Sequence, residues 1–174
     1  MGRQPEKRNR GRITFVSQYV LEDSCNFGKR LVKRPKLFFL DSGLACRLLH
    51  IADINQLRSH PLWGALVETW CVGEVLKGRC HRGKPSALWF WRSGDGHEVD
   101  LVIEQGARLV PIEIKANRSP RPDLLQGLRK FRRIAGMEKV APGFLIYGGD
   151  EQMGMGRDRW VSWSAIDDAL GELA

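Results

Sequence analysis

Long apolar runs are missing from this chain of 174 residues. A bilayer span takes roughly 18 consecutive apolar residues, so no membrane-crossing helix is expected. The basic start, MGRQPEKRNRGR, leads into no apolar core, which argues against a secretory leader. Cysteine is scarce: the four residues Cys25, Cys46, Cys71 and Cys80 form no C-x-x-C pair and read as reduced thiols of a cytoplasmic protein. Cys46-x-x-x-His50 and Cys80-His81 lack matching second halves, so zinc is not expected. A complete G-x-x-x-x-G-K-[ST] loop is absent too, because Phe27-Gly28-Lys29-Arg30 does not supply one; the chain has no ATP site. What remains is 43% hydrophobic residues, the composition of a globular domain large enough to bury a core.

The net charge is +8, and it is unevenly spread. Residues 1–36 hold ten Lys/Arg against three Asp/Glu, and residues 118–133 hold six against one. Residues 37–117 are neutral, with nine of each sign, and residues 134–174 are acidic, with three Lys/Arg against seven Asp/Glu. A basic chain suggests a nucleic-acid partner, but here the surplus belongs to a tail and one segment. The domain division that follows is a basic arm over 1–25, a connecting segment over 26–58 and a folded domain over 59–174.

Periodicity gives the elements. Thr14 to Leu21 fits a short strand or helix, and KLFFL (36–40) a buried strand. Asp41 and Ser42 can cap a helix over 43–50. Pro61 opens a helix to about Lys77, apolar around most of its circumference and therefore buried on several sides. Three strand-like runs follow: ALWFWR (87–92), HEVDLVIE (97–104) with Val99, Leu101 and Ile103 on one face, and RLVPIEIKA (108–116) with Val110, Ile112 and Ile114 on one face. Ser93-Gly94-Asp95-Gly96 and Gln105-Gly106-Ala107 are turn chemistry, so the three form a meander. Pro122 opens a helix over 123–135, FLIY (144–147) is a buried strand, 148–158 is a loop, and 159–163 is a last strand. Ser164 with Asp167 resembles a capping box. The fold class is α/β, a mixed sheet flanked by helices.

Polar residues interrupt this core. Glu113 and Lys115 are two apart on a central strand, on the face opposite Ile112 and Ile114. Asp100 approaches Glu113 if the strands pair through the 105–107 turn. Glu68 has only Gly64, Ala65, Cys71 and Val72 at helical neighbour spacing, so it needs a partner from elsewhere; Glu74, by contrast, has Lys77 three residues on. Three carboxylates and a lysine suit Mg²⁺- or Mn²⁺-assisted phosphodiester hydrolysis. Hard cations take oxygen ligands, and a lysine can stabilise developing negative charge.

Helix-borne Glu68, then Asp100, then Glu113-Ile114-Lys115 resembles the PD-(D/E)xK pattern of restriction-endonuclease-like nucleases, with Val99 in place of the proline. More specifically, KRLVKRPKLFFLDSGLA (29–45), HPLWGALVETW (60–70), LWFWRSGDGHEVDLVIE (88–104) and LVPIEIKA (109–116) look like the domain of unknown function 4143, the C-terminal part of prokaryotic AAA-type ATP-binding proteins. The resemblance covers about residues 26–118. It implies a restriction-endonuclease-like sheet, Mg²⁺ or Mn²⁺ held by Asp100 and Glu113 with Glu68 and the Ile114 carbonyl assisting, Lys115 as electrostatic catalyst, and DNA, with RNA as the less favoured alternative, as substrate. It also implies an upstream ATPase module that this sequence lacks, so the chain reads as a truncated or restarted product of a longer parent.

The residues admit other readings. Asp100, Glu113 and Lys115 can be a salt-bridge cluster of an inactive scaffold, in an interaction or regulatory module of an ATPase, and Glu68 can be satisfied by Arg92. His97, beside Glu98, is a candidate accessory group or a turn residue. Arg118, Arg121, Arg129, Lys130, Arg132 and Arg133 can hold a phosphate backbone, with or without cleavage, or form a solvated face. Trp89 and Trp91 share a strand face and read as core rather than as stacking platforms.

Overall fold

The computed structural model describes residues 13–19, 36–85, 87–93, 96–119, 121–150 and 153–171. In chain order the strands are β1 (Ile13–Tyr19), β2 (Lys36–Phe39), β3 (Trp89–Arg92), β4 (Glu98–Gln105), β5 (Arg108–Lys115), β6 (Phe144–Tyr147), β7 (Met153–Met155) and β8 (Asp158–Ser162). They form one sheet in the order β2-β1-β3-β4-β5-β6-β8-β7. The helices are α1 (Ser42–Leu48), α2 (Ile54–Ser59), α3 (Trp63–His81), α4 (Gln126–Ala135) and α5 (Ile166–Gly171), with 3₁₀ turns over Pro122–Leu125 and Trp163–Ala165. Among the described residues no helix is long and apolar enough to cross a membrane.

The expected meander is present. β3, β4 and β5 are antiparallel, and β4 meets β5 through a two-residue turn with Gln105 opposite Arg108. Gly106 carries the positive φ of 59° that this turn needs. From β5 the chain crosses over through α4 and returns parallel as β6, which pairs parallel with β8. The sheet buries both faces. One layer packs α3, through Val67, Cys71, Val72 and Val75, on Leu101, Ile103, Val110, Ile112, Ile114 and Ile146. The other packs Leu128 and Phe131 of α4 on Trp89, Trp91, Val99, Val102, Leu145 and Trp160. Trp91 meets Phe131 edge to face at 5.5 Å, so Trp89 and Trp91 are core.

Several expectations are corrected. Val99 does not share a face with Leu101 and Ile103. Trp89 pairs with Val102 and Trp91 with Val99, so β4 spends one residue more than β3 between these pairs, a bulge around Asp100 and Leu101. Val99 and Val102 thus join the α4 layer while Leu101 turns to α3. Ile13–Tyr19, within the expected arm, is a strand between β2 and β3; the rest of 1–25 lies outside the described residues. Over 26–58, Lys36–Phe39 is in the sheet, and α1 is capped as expected by Asp41 Oδ1, which accepts the Leu44 N–H at 2.9 Å. The 148–158 loop contains β7, hairpinned onto β8. Ser164 is not the cap of the last helix: Ser162 Oγ accepts its N–H, and Asp167 instead pairs with Arg82 at 2.7 Å.

Arg132 was expected on the basic face. It is 5% exposed and pairs through both terminal nitrogens with the equally buried Asp158, which also accepts the Gly143 N–H at 2.8 Å. Removing one partner strands a buried charge, so Asp158→Ala should lower the unfolding free energy by about 3–5 kcal/mol in denaturant melts. A change within about 0.5 kcal/mol would show that the pair does not hold α4 to β8.

Candidate functional site

The β4–β5 ladder ends at Leu101 opposite Ile112. Beyond it β4 continues back to Glu98 and β5 forward to Lys115 with no further pairing between them, so the strands fork. Asp100 sits in the fork, at the bulge. Its Oδ2 accepts the Ile114 N–H at 2.8 Å, replacing the backbone acceptor that the separated strand no longer offers. It is one of the few buried charged groups, 7% exposed.

Four carboxylates converge here. Glu68 comes from α3, Glu98 and Asp100 from β4, and Glu113 from β5. Oxygens of Glu68, Glu98 and Asp100 lie within 4.8 Å of one another, close enough to share one ion. Glu113 belongs to the other side of the fork, where its Oε1 accepts from Lys115 Nζ at 2.5 Å. Lys115 Nζ is also 3.7 Å from Asp100 Oδ2. Glu113 Oε2 is buried with no hydrogen-bond donor. The alternation of Glu113 and Lys115 against Ile112 and Ile114 is as the sequence predicts.

The partner that Glu68 needs is Lys36, from β2. Its Nζ is 2.8 Å from Glu68 Oε1, in contact with Glu98 Oε1 and 3.6 Å from Asp100 Oδ1. Arg92 does not pair with Glu68; its guanidinium holds Glu98 Oε2, with Nε at 2.7 Å. Sequence reasoning missed Glu98 and Lys36 as site members. Two-residue alternation with Asp100 could have found Glu98. Lys36 carries no signal, because it is 64 residues from Asp100 and only the fold brings it there.

The charges act on one another. Burial raises the Glu113 carboxyl, and the adjacent Asp100 raises it further, up to about 8, against the pull of Lys115. Burial and Asp100 also raise Glu68, against Lys36. Burial opposes ionisation of Glu98, but Lys36 and Arg92 outweigh it and hold Glu98 below the usual carboxylate range. For Lys36 and Lys115 burial likewise disfavours the charge, and the carboxylates outweigh it, so both ammonium groups titrate above the ordinary lysine range.

The remaining predicted residues lie around this centre. His97 closes the β3–β4 turn through its backbone: its N–H donates to Ser93 Oγ at 3.0 Å, and its carbonyl accepts the Ser93 N–H at 2.8 Å. Ile114 meets Asp100 through its N–H. Arg118 pairs with Asp150 at 3.3 Å and, with Arg58, Trp63, Ala116 and Trp163, lines a groove of about 340 Å³ that includes none of the carboxylates or Lys115. Arg121 pairs with Asp123. Arg129 and Arg133 are exposed, Lys130 is half-buried, and Arg132 is committed to Asp158. α4 begins at the fork: a Cβ on Gly127 would collide with the Glu98 carbonyl and lie 3.2 Å from Glu113 Oε2. An apolar hollow of about 280 Å³ between Cys46, Leu57, Trp63, Leu66, Trp70 and Trp163 holds none of the carboxylates.

In the folded protein Glu113 keeps its proton up to about pH 8, whereas unfolded it loses it at the ordinary glutamate value of about 4.5. The folded state binds more protons between these values, so this group makes stability fall as pH rises through that window. Glu113→Gln should flatten the fall and make the variant relatively more stable at pH 8 than at pH 5. Parallel stability–pH profiles for the two proteins would rule out a buried, protonated Glu113.

Comparison with known proteins bears on the same region. The family described as a domain of unknown function (DUF4143) matches residues 63–166, which include Glu68, Glu98, Asp100, Glu113 and Lys115 but not Lys36. Uncharacterized proteins of Mycobacterium tuberculosis and Mycobacterium bovis are each 30% identical over 153 residues, 86% of this chain and 33% of theirs. The chain thus spans about a third of the length of the curated relatives it matches. With the family pattern running from the first turn of α3 to the start of α5, the chain belongs to the DUF4143 family.

Proposed function

We propose that this domain is a metal-dependent phosphodiesterase of the restriction-endonuclease-like kind, acting on DNA with Mg²⁺ or Mn²⁺ bound at the β4–β5 fork. The observation that carries this reading is the convergence of Glu68, Glu98 and Asp100 from α3 and β4, with Glu113 and Lys115 of β5 beside Asp100 and Lys36 among them. The donor set is all oxygen, as a hard cation requires. The donorless Glu113 Oε2 supports it, because a buried acceptor without a donor marks a place for a ligand. Asp100 would be the central ligand, with Glu68, Glu98 and Glu113 around it and the Ile114 carbonyl as a further donor. When bound, the metal supplies Lewis-acid polarisation and a more acidic water. Lys115 would orient that water or stabilise developing negative charge. The groove of Arg58 and Arg118, with Arg121 and with Arg129, Lys130 and Arg133 on α4, would hold the phosphate backbone. In a longer parent the domain would work beside an AAA-type ATPase module.

A second reading has its own observation. Lys36, Lys115 and Arg92 already neutralise most of the cluster, as they would in a non-catalytic interaction or regulatory module. Plasmid cleavage with Mg²⁺ or Mn²⁺ separates the two. The nuclease reading expects Asp100→Ala to abolish cleavage and Lys115→Ala to slow it by roughly 10²–10³. Cleavage surviving in both variants sinks the assignment. No Mn²⁺ binding at millimolar metal by the folded protein favours the module, and salt-dependent DNA binding indifferent to Asp100→Ala favours binding without cleavage.

Arg129→Ala and Arg133→Ala should each flatten the plot of log affinity for DNA against log salt by about 0.9 if each contacts one phosphate. An unchanged slope removes that side chain from the interface.

A further inference from the structure

The proposed metal site already holds a cation of the chain's own. The Lys36 ammonium touches Glu68 and Glu98 and lies 3.6 Å from Asp100. These are the same three carboxylates whose oxygens lie within 4.8 Å of one another. A divalent cation meets such oxygens at about 2.0–2.6 Å, so it would occupy the space where the ammonium now stands. At this range two positive centres repel strongly, more so with the Lys36 side chain only 18% exposed. The two cations are therefore alternatives.

A second, independent observation points to a ligand beyond Lys36. Glu113, with its side chain 8% exposed, presents Oε2 without a donor on the far side of Asp100. Asp100 and Glu98 both act on its charge, and Oε2 lies beside Gly127 at the start of α4, next to the Glu98 carbonyl. Lys36 leaves this oxygen unserved. An ion drawn towards Asp100 and Glu113 would serve it.

Lys36 is also delivered differently from the acids. All four carboxylates and Lys115 lie within the family match over 63–166, while β2 is anchored to the α3-side core by Phe38. Lys36 precedes that match, at the last pair of the β1–β2 ladder, opposite Val16. β1 in turn joins β3 through the pairs Ser17↔Trp89, Gln18↔Phe90 and Tyr19↔Trp91. The ammonium also lies 5.5 Å from the Phe90 ring, a face it can leave at small cost.

We infer that Lys36 is a tethered cation that fills the Glu68–Glu98–Asp100 site, that a divalent cation binds there by displacing it, and that the position of β2 thereby sets the metal affinity. This rests on reading the fork as a metal site. No covalent step is involved: the ammonium leaves protonated for solvent and the metal takes its oxygens.

Titration calorimetry of the full chain with Mn²⁺ tests it, comparing the natural protein with Lys36→Met, which keeps an unbranched side chain without the charge. Lys36→Met should bind Mn²⁺ tighter by roughly tenfold or more, since removing one like charge at this range changes a binding equilibrium by at least that factor. Equal or weaker binding by a folded Lys36→Met, with binding by the natural protein, overturns the role of Lys36 and leaves the metal site standing. No binding by either protein overturns both. Acylation of Lys36 by an N-hydroxysuccinimide ester, read by mass spectrometry against the exposed Lys77, needs no variant. Saturating Mn²⁺ should raise Lys36 labelling several-fold in the natural protein, and unchanged or reduced labelling with Mn²⁺ bound overturns the inference.

Discussion

Where β4 and β5 part, the carboxylate of Asp100 accepts the Ile114 N–H and takes the place of a strand neighbour. Without that bond a buried donor in a central strand would go unpaired, at a cost of about 1–3 kcal/mol. The bulge that turns Asp100 into the fork also sends Leu101 to the α3 layer and Val102 to the α4 layer. One local irregularity therefore satisfies the backbone, sorts the side chains of β4 between two cores, and sets a charge at the seam between them. The other site residues are arranged around that charge: Glu68, Glu98 and Lys36 on one side, Glu113 and Lys115 on the other.

Four carboxylates in so covered a place are expensive. Desolvation disfavours each ionised form, and neighbouring carboxylates disfavour it further. The fold meets this with Lys36, Lys115 and Arg92, and with a proton on Glu113 up to about pH 8. The Arg132–Asp158 pair shows what a purely structural buried ion pair looks like in the same molecule: two charges, two-point contact, and a backbone N–H completing the acceptor. The fork is different. It draws its charges from several elements, Glu113 Oε2 meets no donor, and one of its cations, Lys36, comes from a segment upstream of the family region.

Much of this was readable beforehand. The α3 helix, the β3–β5 meander, the α4 crossover to β6 and the Asp41 cap follow from apolar period, turn residues and capping chemistry, which act within a few residues. The opposition of Glu113 and Lys115 to Ile112 and Ile114 follows from the two-residue period of a strand. The period misled at Val99, because a bulge is set by pairing with β3 and leaves no mark in β4 itself. It misled at Arg132, because a charged residue off an apolar stripe reads as surface unless its partner, 26 residues on, is known. Periodicity left Thr14 to Leu21 open between strand and helix, and pairing with β2 and β3 settles Ile13–Tyr19 as a strand.

The sequence by itself determined most of the elements and their order (though not α2 or β7), the mixed α/β class and the identities of Glu68, Asp100, Glu113 and Lys115 as misfits in apolar surroundings, because burial and local geometry write themselves into nearby residues. Only the tertiary structure decided that β4 and β5 fork at Asp100, that Glu98 joins Glu68 and Asp100, and that Arg92 serves Glu98 instead of Glu68. It alone decided that Lys36 fills the acidic triad. A Coulomb interaction over a few ångströms depends on where the folded chain brings charges together, and separation along the sequence says nothing about that.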